Sequence, residues 1–265
     1  MSVVIVSLNR EETLRESLAA LGDEHQVIVV DNGSTDGSQQ LDSEFPHARF
    51  SKLPKNFGLT KAMNIGVRAA DGEFILFLHD DTRIEAAGVT ALADYLEAHP
   101  DAGAVCPLLV GADGSPAPQT GSLLSPLNTD IQWAPAAGGD EIVAECVIGA
   151  AIMFRSSFLR ALRQIDERYG TFGPMMELCA QVRRANKKIV ILRAVTAVHE
   201  QLESPVKPAI LEGDRVAGMA AYLGKHHGAS AGFGYRLKTA PVALLTFQFK
   251  KLSGAVAGSK IDGTS

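Results

Sequence analysis

Strand-type and helix-type periods alternate over the first hundred residues. Residues 3–7 form a continuous apolar run of the buried-strand kind. After Asn9 and Arg10, Leu14, Leu18 and Leu21 recur at helical spacing through residues 11–21. Residues 26–30 are a second apolar strand, which runs into the polar cluster Asp31-Asn32-Gly33-Ser34-Thr35-Asp36-Gly37-Ser38. A helix is predicted over 59–70, with Ala62, Ile65, Val67 and Ala69 on its apolar side. A third strand over 73–78 stops at His79, Asp80 and Asp81. Strands that alternate with helices imply an α/β fold, a mostly parallel sheet with helices on both faces. Ligands bind such sheets at the carboxyl ends of the strands, and here those ends carry Asn9, Asp31 and the Asp80-Asp81 pair.

Residues 111–140 hold several prolines and glycines and read as an excursion within the same domain, because a strand-like run resumes at 145–154. A helix over 174–186 opens with Pro174 at a first-turn position, and a strand over 188–192 leads on to Thr196 and His199. From about residue 207 the character changes. Val242, Leu245, Phe249 and Leu252 form a helical stripe with Arg236, Lys238, Lys250 and Lys251 around it. A basic amphipathic helix of this kind can lie on an anionic membrane surface, here through 236–253. The alternative is a helix packed on its own domain or on a second copy in a homodimer. The chain therefore divides into a domain over 1–204 and a helical extension over 205–265, with no internal repeat.

Composition narrows the class. With 265 residues, 46% hydrophobic and 21% charged, the chain can bury a large core. A net charge of −5 argues against a nucleic-acid groove binder. Cys106, Cys146 and Cys179 are far apart in sequence and lack CxxC spacing, which excludes a disulfide scaffold and a cysteine-type zinc site and suits a reducing compartment. The N-terminal apolar run has no basic flank. The longest apolar runs, 74–78 and 147–154, fall well short of the roughly 20 residues a membrane helix needs. A soluble cytoplasmic protein is expected, peripheral at the inner membrane face if the tail binds lipid.

Adjacent carboxylates at the end of an apolar strand call for positive compensation. Asp80 and Asp81 point to opposite sides of an extended segment, so one can bind a metal while the other contacts a sugar or an amide. Mg²⁺ or Mn²⁺ with diphosphate is the natural partner of such oxygens. The competing account is that Asp80, Asp81 and Thr82 cap a following helix. Asp31 to Ser38 has the same ambiguity, since Asn-Gly and Asp-Gly are ordinary turn formers.

Taken in order, these segments resemble the family 2 glycosyltransferases, whose GT-A fold binds nucleotide sugars, and most nearly the bacterial rhamnosyltransferase-like branch that builds surface polysaccharides. The matching residues are 3–9, 27–38, Asn56-Phe57-Gly58 with Ala62, Asn64 and Gly66, then 71–73 and 78–82, and further on 148–151, 165–167, Leu178-Cys179 and His199. The resemblance covers roughly residues 1–200 and implies that Asp31 accepts hydrogen bonds from the nucleotide base, with Leu8 and Asn9 beside the same pocket. It places Asp80 in the middle and Asp81 at the end of the metal-binding DxD motif, with His79 at its first position. His199 matches a histidine that closes the nucleotide and metal site; a packed core histidine is the alternative. Asn56, Gly58, Lys61 and Asp80 are implied as nucleotide-binding, Lys61 approaching a phosphate or equally being a solvated face residue, and His79 and Gly149 fall in the donor and acceptor vicinity.

The implied chemistry is an inverting transfer from a nucleoside-diphosphate sugar to a glycan or lipid-linked acceptor, with a base that takes the acceptor proton and a metal on the leaving diphosphate. Here the sequence departs from the family. The Glu-Asp pair that usually supplies the base falls on Pro174-Met175, and a later Asp falls on Glu177, the remaining candidate base. Leu8 stands where many relatives carry an aromatic residue. Two accounts stay open: an active transferase with a substitute base, or a pseudoenzyme that keeps a nucleotide or glycan pocket and partners an active transferase. Nucleotidyl transfer is excluded, because Asn9-Arg10-Glu11-Glu12 offers no glycine-rich phosphate loop.

Overall fold

The computed structural model describes residues 1–245 and 260–263. The chain runs β1 (Ser2–Ser7), α1 (Glu11–Leu21), β2 (Gln26–Asp31), a 3-10 turn (Gly37–Gln40), α2 (Leu41–Glu44), β3 (Arg49–Lys52), α3 (Leu59–Ala69), β4 (Phe74–His79), β5 (Thr82–Arg83), α4 (Ala86–Ala98) and β6 (Ala102–Val110). Four short strands follow, β7 (Pro118–Gly121), β8 (Ala134–Pro135), β9 (Glu141–Ala144) and β10 (Cys146–Val147). Then come β11 (Ala151–Arg155), α5 (Ser156–Ala161), α6 (Pro174–Arg184), β12 (Lys188–His199), α7 (Pro208–His227) and α8 (Ala229–Leu245).

The main sheet has the order β3-β2-β1-β4-β11-β6-β12-β5, with β9 also paired to β12. Strands β3, β2, β1 and β4 are mutually parallel. β11 enters antiparallel to both β4 and β6, and β12 is parallel to β6. The sheet is thus mixed, with its parallel part confined mainly to the first half of the chain. Alternate strand residues point to opposite faces. Val3, Ile5 and Leu76 therefore pack with Leu14 and Leu18 of α1 and Leu92 of α4. Val4, Ile28 and Phe77 pack on the other face with Ala62 of α3, Leu178 of α6 and Val216 of α7. Cover on both faces is why these strands read as unbroken apolar runs.

Three sequence readings change. The expected strand over 145–154 is split into β10 and β11 by Ile148-Gly149-Ala150, whose Ala150 carbonyl accepts from the His79 amide at 2.8 Å. Residues 188–199 are one long strand with a register shift between Leu192 and Thr196. No helix follows Asp81 directly: Thr82–Arg83 pairs with β12, and α4 begins only after Glu85. That removes the helix-cap account of the carboxylate pair.

Beyond 204 the described residues form α7 and α8, and α7 belongs to the main core, where Val216, Met219, Tyr222 and Leu223 are buried. Asp214 of α7 accepts from the Thr171 and Phe172 amides at 2.8 and 3.0 Å and from the Ile261 amide at 2.7 Å. One buried carboxylate thereby ties the loop before α6 and the 260–263 segment to the domain. Phe249, Lys250, Lys251 and Leu252 of the expected membrane-facing stripe lie outside the described residues. Among the described residues, no helix is long and apolar enough to cross a membrane.

Candidate functional site

The carboxyl ends of β1, β2 and β4 meet, as the alternation of elements requires. At the end of β4 the chain turns sharply through His79, Asp80 and Asp81, and β12 returns beside it by pairing His199 with Thr82. This pairing brings together residues distant in sequence. His199 Nε2 lies 3.4 Å and His79 Nδ1 4.0 Å from Asp81 Oδ1. Ligand atoms of His79, Asp81 and His199 all fall within 4.8 Å of one another. The other Asp81 oxygen accepts from the Leu202 amide at 3.0 Å, which fixes the carboxylate's orientation. Burial alone would push Asp81 up, but the hydrogen bond from His199 and the nearby His79 outweigh it and hold it down at about 2.

These residues fit a divalent cation. The set is one ionised carboxylate and two imidazoles, and among the described residues His199 Nδ1, buried, has no hydrogen-bond partner. A buried, unpartnered ring nitrogen is costly unless something coordinates it or bonds to it. His79, expected at the first position of the DxD motif and in the donor and acceptor vicinity, belongs to this group.

Asp80 takes a different role from its neighbour. Its carboxylate accepts from the Leu8 amide at 3.1 Å and so ties the end of β4 to the end of β1. Burial first, and then the charge on Asp81, push Asp80 up to about 7. Asp31 is fully buried at the end of β2. Its Oδ1 accepts from the Gly33 and Ser34 amides and from the Gln39 side chain, whereas Oδ2, also buried, has no partner among the described residues. A carboxylate that closes a turn with one oxygen and leaves the other bare can still accept from a ligand.

Other expected site residues shape the backbone. Asn9 sits at φ +52°, a left-handed conformation that Asn tolerates. Its amide donates to Ser34 and its side-chain oxygen accepts from the Thr35 amide at 2.7 Å, so it clamps the 31–38 loop in place. Asn56 accepts from the Gly58 amide and the Asn32 side chain. Gly58 has φ +84°, and a Cβ there would lie 2.4 Å from the Ile261 carbonyl oxygen, so only glycine fits. Lys61 is exposed and lies 4.4 Å from the centre of the Phe57 ring, the solvated-face alternative.

Next to the His79-Asp81-His199 group is a cavity of about 340 Å³. His79, Gly149 and Met175 line it, and a Cβ on Gly149 would come within 2.7 Å of the Met175 methyl. Met175, at the usual base position, therefore faces the cavity and brings no proton acceptor. Glu177 is corrected as a candidate base. It is 3% exposed, does not line the cavity, and accepts from Tyr169 at 2.9 Å, Gln181 at 2.5 Å and His226 at 2.7 Å, with Lys225 at 2.9 Å. Every oxygen lone pair that matters is already engaged. Sequence reading missed Asp130, Trp133, Arg215 and Met219, which also line the cavity. The single tryptophan in a proline- and glycine-rich loop was the one available signal; the other three carry no local pattern.

The fold and the site together define a GT-A-type protein that presents a carboxylate-histidine group at the carboxyl ends of its strands. Residues 2–162 match Glycosyl transferase family 2, and the chain belongs to that family. It is 33% identical over 107 residues to the uncharacterized glycosyltransferase YfnE of Bacillus subtilis, covering 37% of this chain and 26% of that protein. It is 23% identical over 229 residues to the N-acetylglucosaminyl-diphospho-decaprenol L-rhamnosyltransferase of Mycobacterium tuberculosis, 76% of this chain and 71% of that one. Among solved structures it resembles GalNAc-T7 with UDP, GalNAc and Mn²⁺, at a TM-score of 0.62 and 14% identity over 82% of this chain and 47% of the other.

Proposed function

We propose that this chain transfers a glycosyl group, with inversion, from a nucleoside-diphosphate sugar to a hydroxyl of a glycan or lipid-linked acceptor in surface polysaccharide synthesis. The observation that carries the reading is the convergence of His79, Asp81 and His199 at the strand ends that also hold the bare Asp31 oxygen. The metal-bound GalNAc-T7 and the rhamnosyltransferase with its lipid-diphosphate acceptor support it. Two imidazoles with one carboxylate favour Mn²⁺ over Mg²⁺, which prefers oxygen ligands. When bound, the cation would neutralise charge on the departing diphosphate.

The residues divide the work. Asp31 Oδ2 accepts from the nucleotide base, and His79, Asp81 and His199 hold the cation. The acceptor oxygen forms its bond to the anomeric carbon as the bond from that carbon to the diphosphate oxygen breaks, and the electron pair leaves with the diphosphate. The acceptor proton passes to Asp130, the one carboxylate among the described residues lining the cavity. A pseudoenzyme is the second reading, and the specific observation behind it is Met175 in the place of the usual base.

Calorimetric titration with UDP, dTDP and GDP, each with and without Mn²⁺, tests the donor site. One nucleotide is expected to bind in a metal-dependent manner; no binding to any of them by folded protein overturns the reading. Asp31→Asn is expected to weaken that nucleotide by roughly tenfold or more, the value of a hydrogen bond to a charged group. Unchanged affinity would remove Asp31 from the site. Turnover of the matching sugar donor that falls sharply in Asp130→Asn, with nucleotide affinity intact, separates the active transferase from the pseudoenzyme.

A further inference from the structure

The cavity beside the metal group is far less polar than sugar binding requires. Among the described residues, every side chain that lines it apart from His79, Asp130, Thr171 and Arg215 is aliphatic, aromatic or a thioether. Four of the chain's six methionines, Met63, Met175, Met176 and Met219, face it. They come from α3, α6 and α7, so separate elements contribute to one apolar wall. Methionine side chains are flexible and polarisable, and they fit apolar ligands of irregular shape.

Size and chemistry then choose the occupant. An apolar cavity of roughly 150 Å³ already takes up benzene, and this one is about 340 Å³. A hexose in such a lining would bury several hydroxyls without partners, at about 1–3 kcal/mol each. A hydrocarbon chain gains on the order of 25 cal/mol for every Å² it removes from water. We propose that the cavity holds the hydrocarbon end of the acceptor, an isoprenoid or alkyl chain, with Asp130 and the Glu212-paired Arg215 at its polar head. The proposal rests on the transferase reading of the same site and names its acceptor class as lipid-type.

Trp133 lines the cavity and is the chain's one tryptophan, so its fluorescence reports occupancy. The full chain would be titrated with octanol, octyl phosphate, inorganic phosphate and a free hexose, with nucleotide binding followed separately by calorimetry. Saturable shifts with octanol and octyl phosphate, and none with phosphate or hexose, are expected. In Met175→Gln the octanol affinity should fall about tenfold, because an amide replaces an apolar wall, while nucleotide affinity stays as it was. A response to hexose without one to octanol overturns the proposal, as does no saturable response to octanol in protein that still binds nucleotide. Unchanged octanol affinity in Met175→Gln overturns the location. Chain binding without nucleotide binding leaves the cavity assignment standing and overturns the transferase reading instead.

Discussion

Replacing Asp81 with alanine is expected to abolish metal-dependent nucleotide binding, by at least about 100-fold, the upper end of what loss of a mere supporting partner of a metal ligand costs. The size follows from the geometry. Asp81 is the only carboxylate in the group with His79 and His199, and its neighbours hold it ionised down to about pH 2. Its second oxygen also anchors the Leu202 amide, so the alanine variant loosens the end of β12 as well. Asp81→Asn separates the two effects: it keeps an acceptor for Leu202 and removes the charge. Calorimetry with and without Mn²⁺ on both variants reads the result. Metal-dependent binding that survives Asp81→Ala overturns the assignment of the cation to this group.

Glu177→Gln is expected to destabilise the fold by about 3 kcal/mol at neutral pH. That is the linkage value of a carboxylate moved from its ordinary 4.5 to about 2 at about 1.4 kcal/mol per unit. Burial would by itself raise Glu177, but Gln181, His226 and Lys225 stabilise the charged form and win. The same Lys225 bridges to Asp166 at 2.7 Å, so α6, α7 and the loop before α6 share one ion network. Because the folded-state value is depressed, the stabilisation is fully present above about pH 4.5 and is lost as pH falls toward 2. Denaturant unfolding of both proteins across that range should show their difference close from about 3 kcal/mol to near zero at acid pH. A difference independent of pH would mean that packing, and not charge, makes Glu177 matter. A loss of turnover without loss of stability would return Glu177 to the reaction.

Much of the parallel half of the sheet was legible, because β1, β2 and β4 are buried on both faces and so appear as continuous apolar runs between helices with a clear apolar stripe. Asp31, Asp80 and Asp81 were legible for a related reason: a carboxylate that ends such a run stands at the ligand-binding edge of the sheet. β3, α4 and β6 were not resolved by that reading. β3 is short and largely polar, and the apolar stripe of α4 is diluted by alanines on its other sides.

The sequence by itself determined the α/β class and the strand-end carboxylates, because both depend only on residue type and local period; the resemblance to the family added the absence of the usual base at Pro174-Met175. Tertiary structure alone decided the rest. Pairing of β12 with β5 turned His199, which is alone in its segment, into a partner of Asp81 and drew His79 into the same group. Helix packing sent Glu177 into an ion network and Met175 into a cavity, although the two lie on the same helix two positions apart. Residues so spaced project about 200° from each other around a helix axis, and which direction faces the site is settled only by what packs against it.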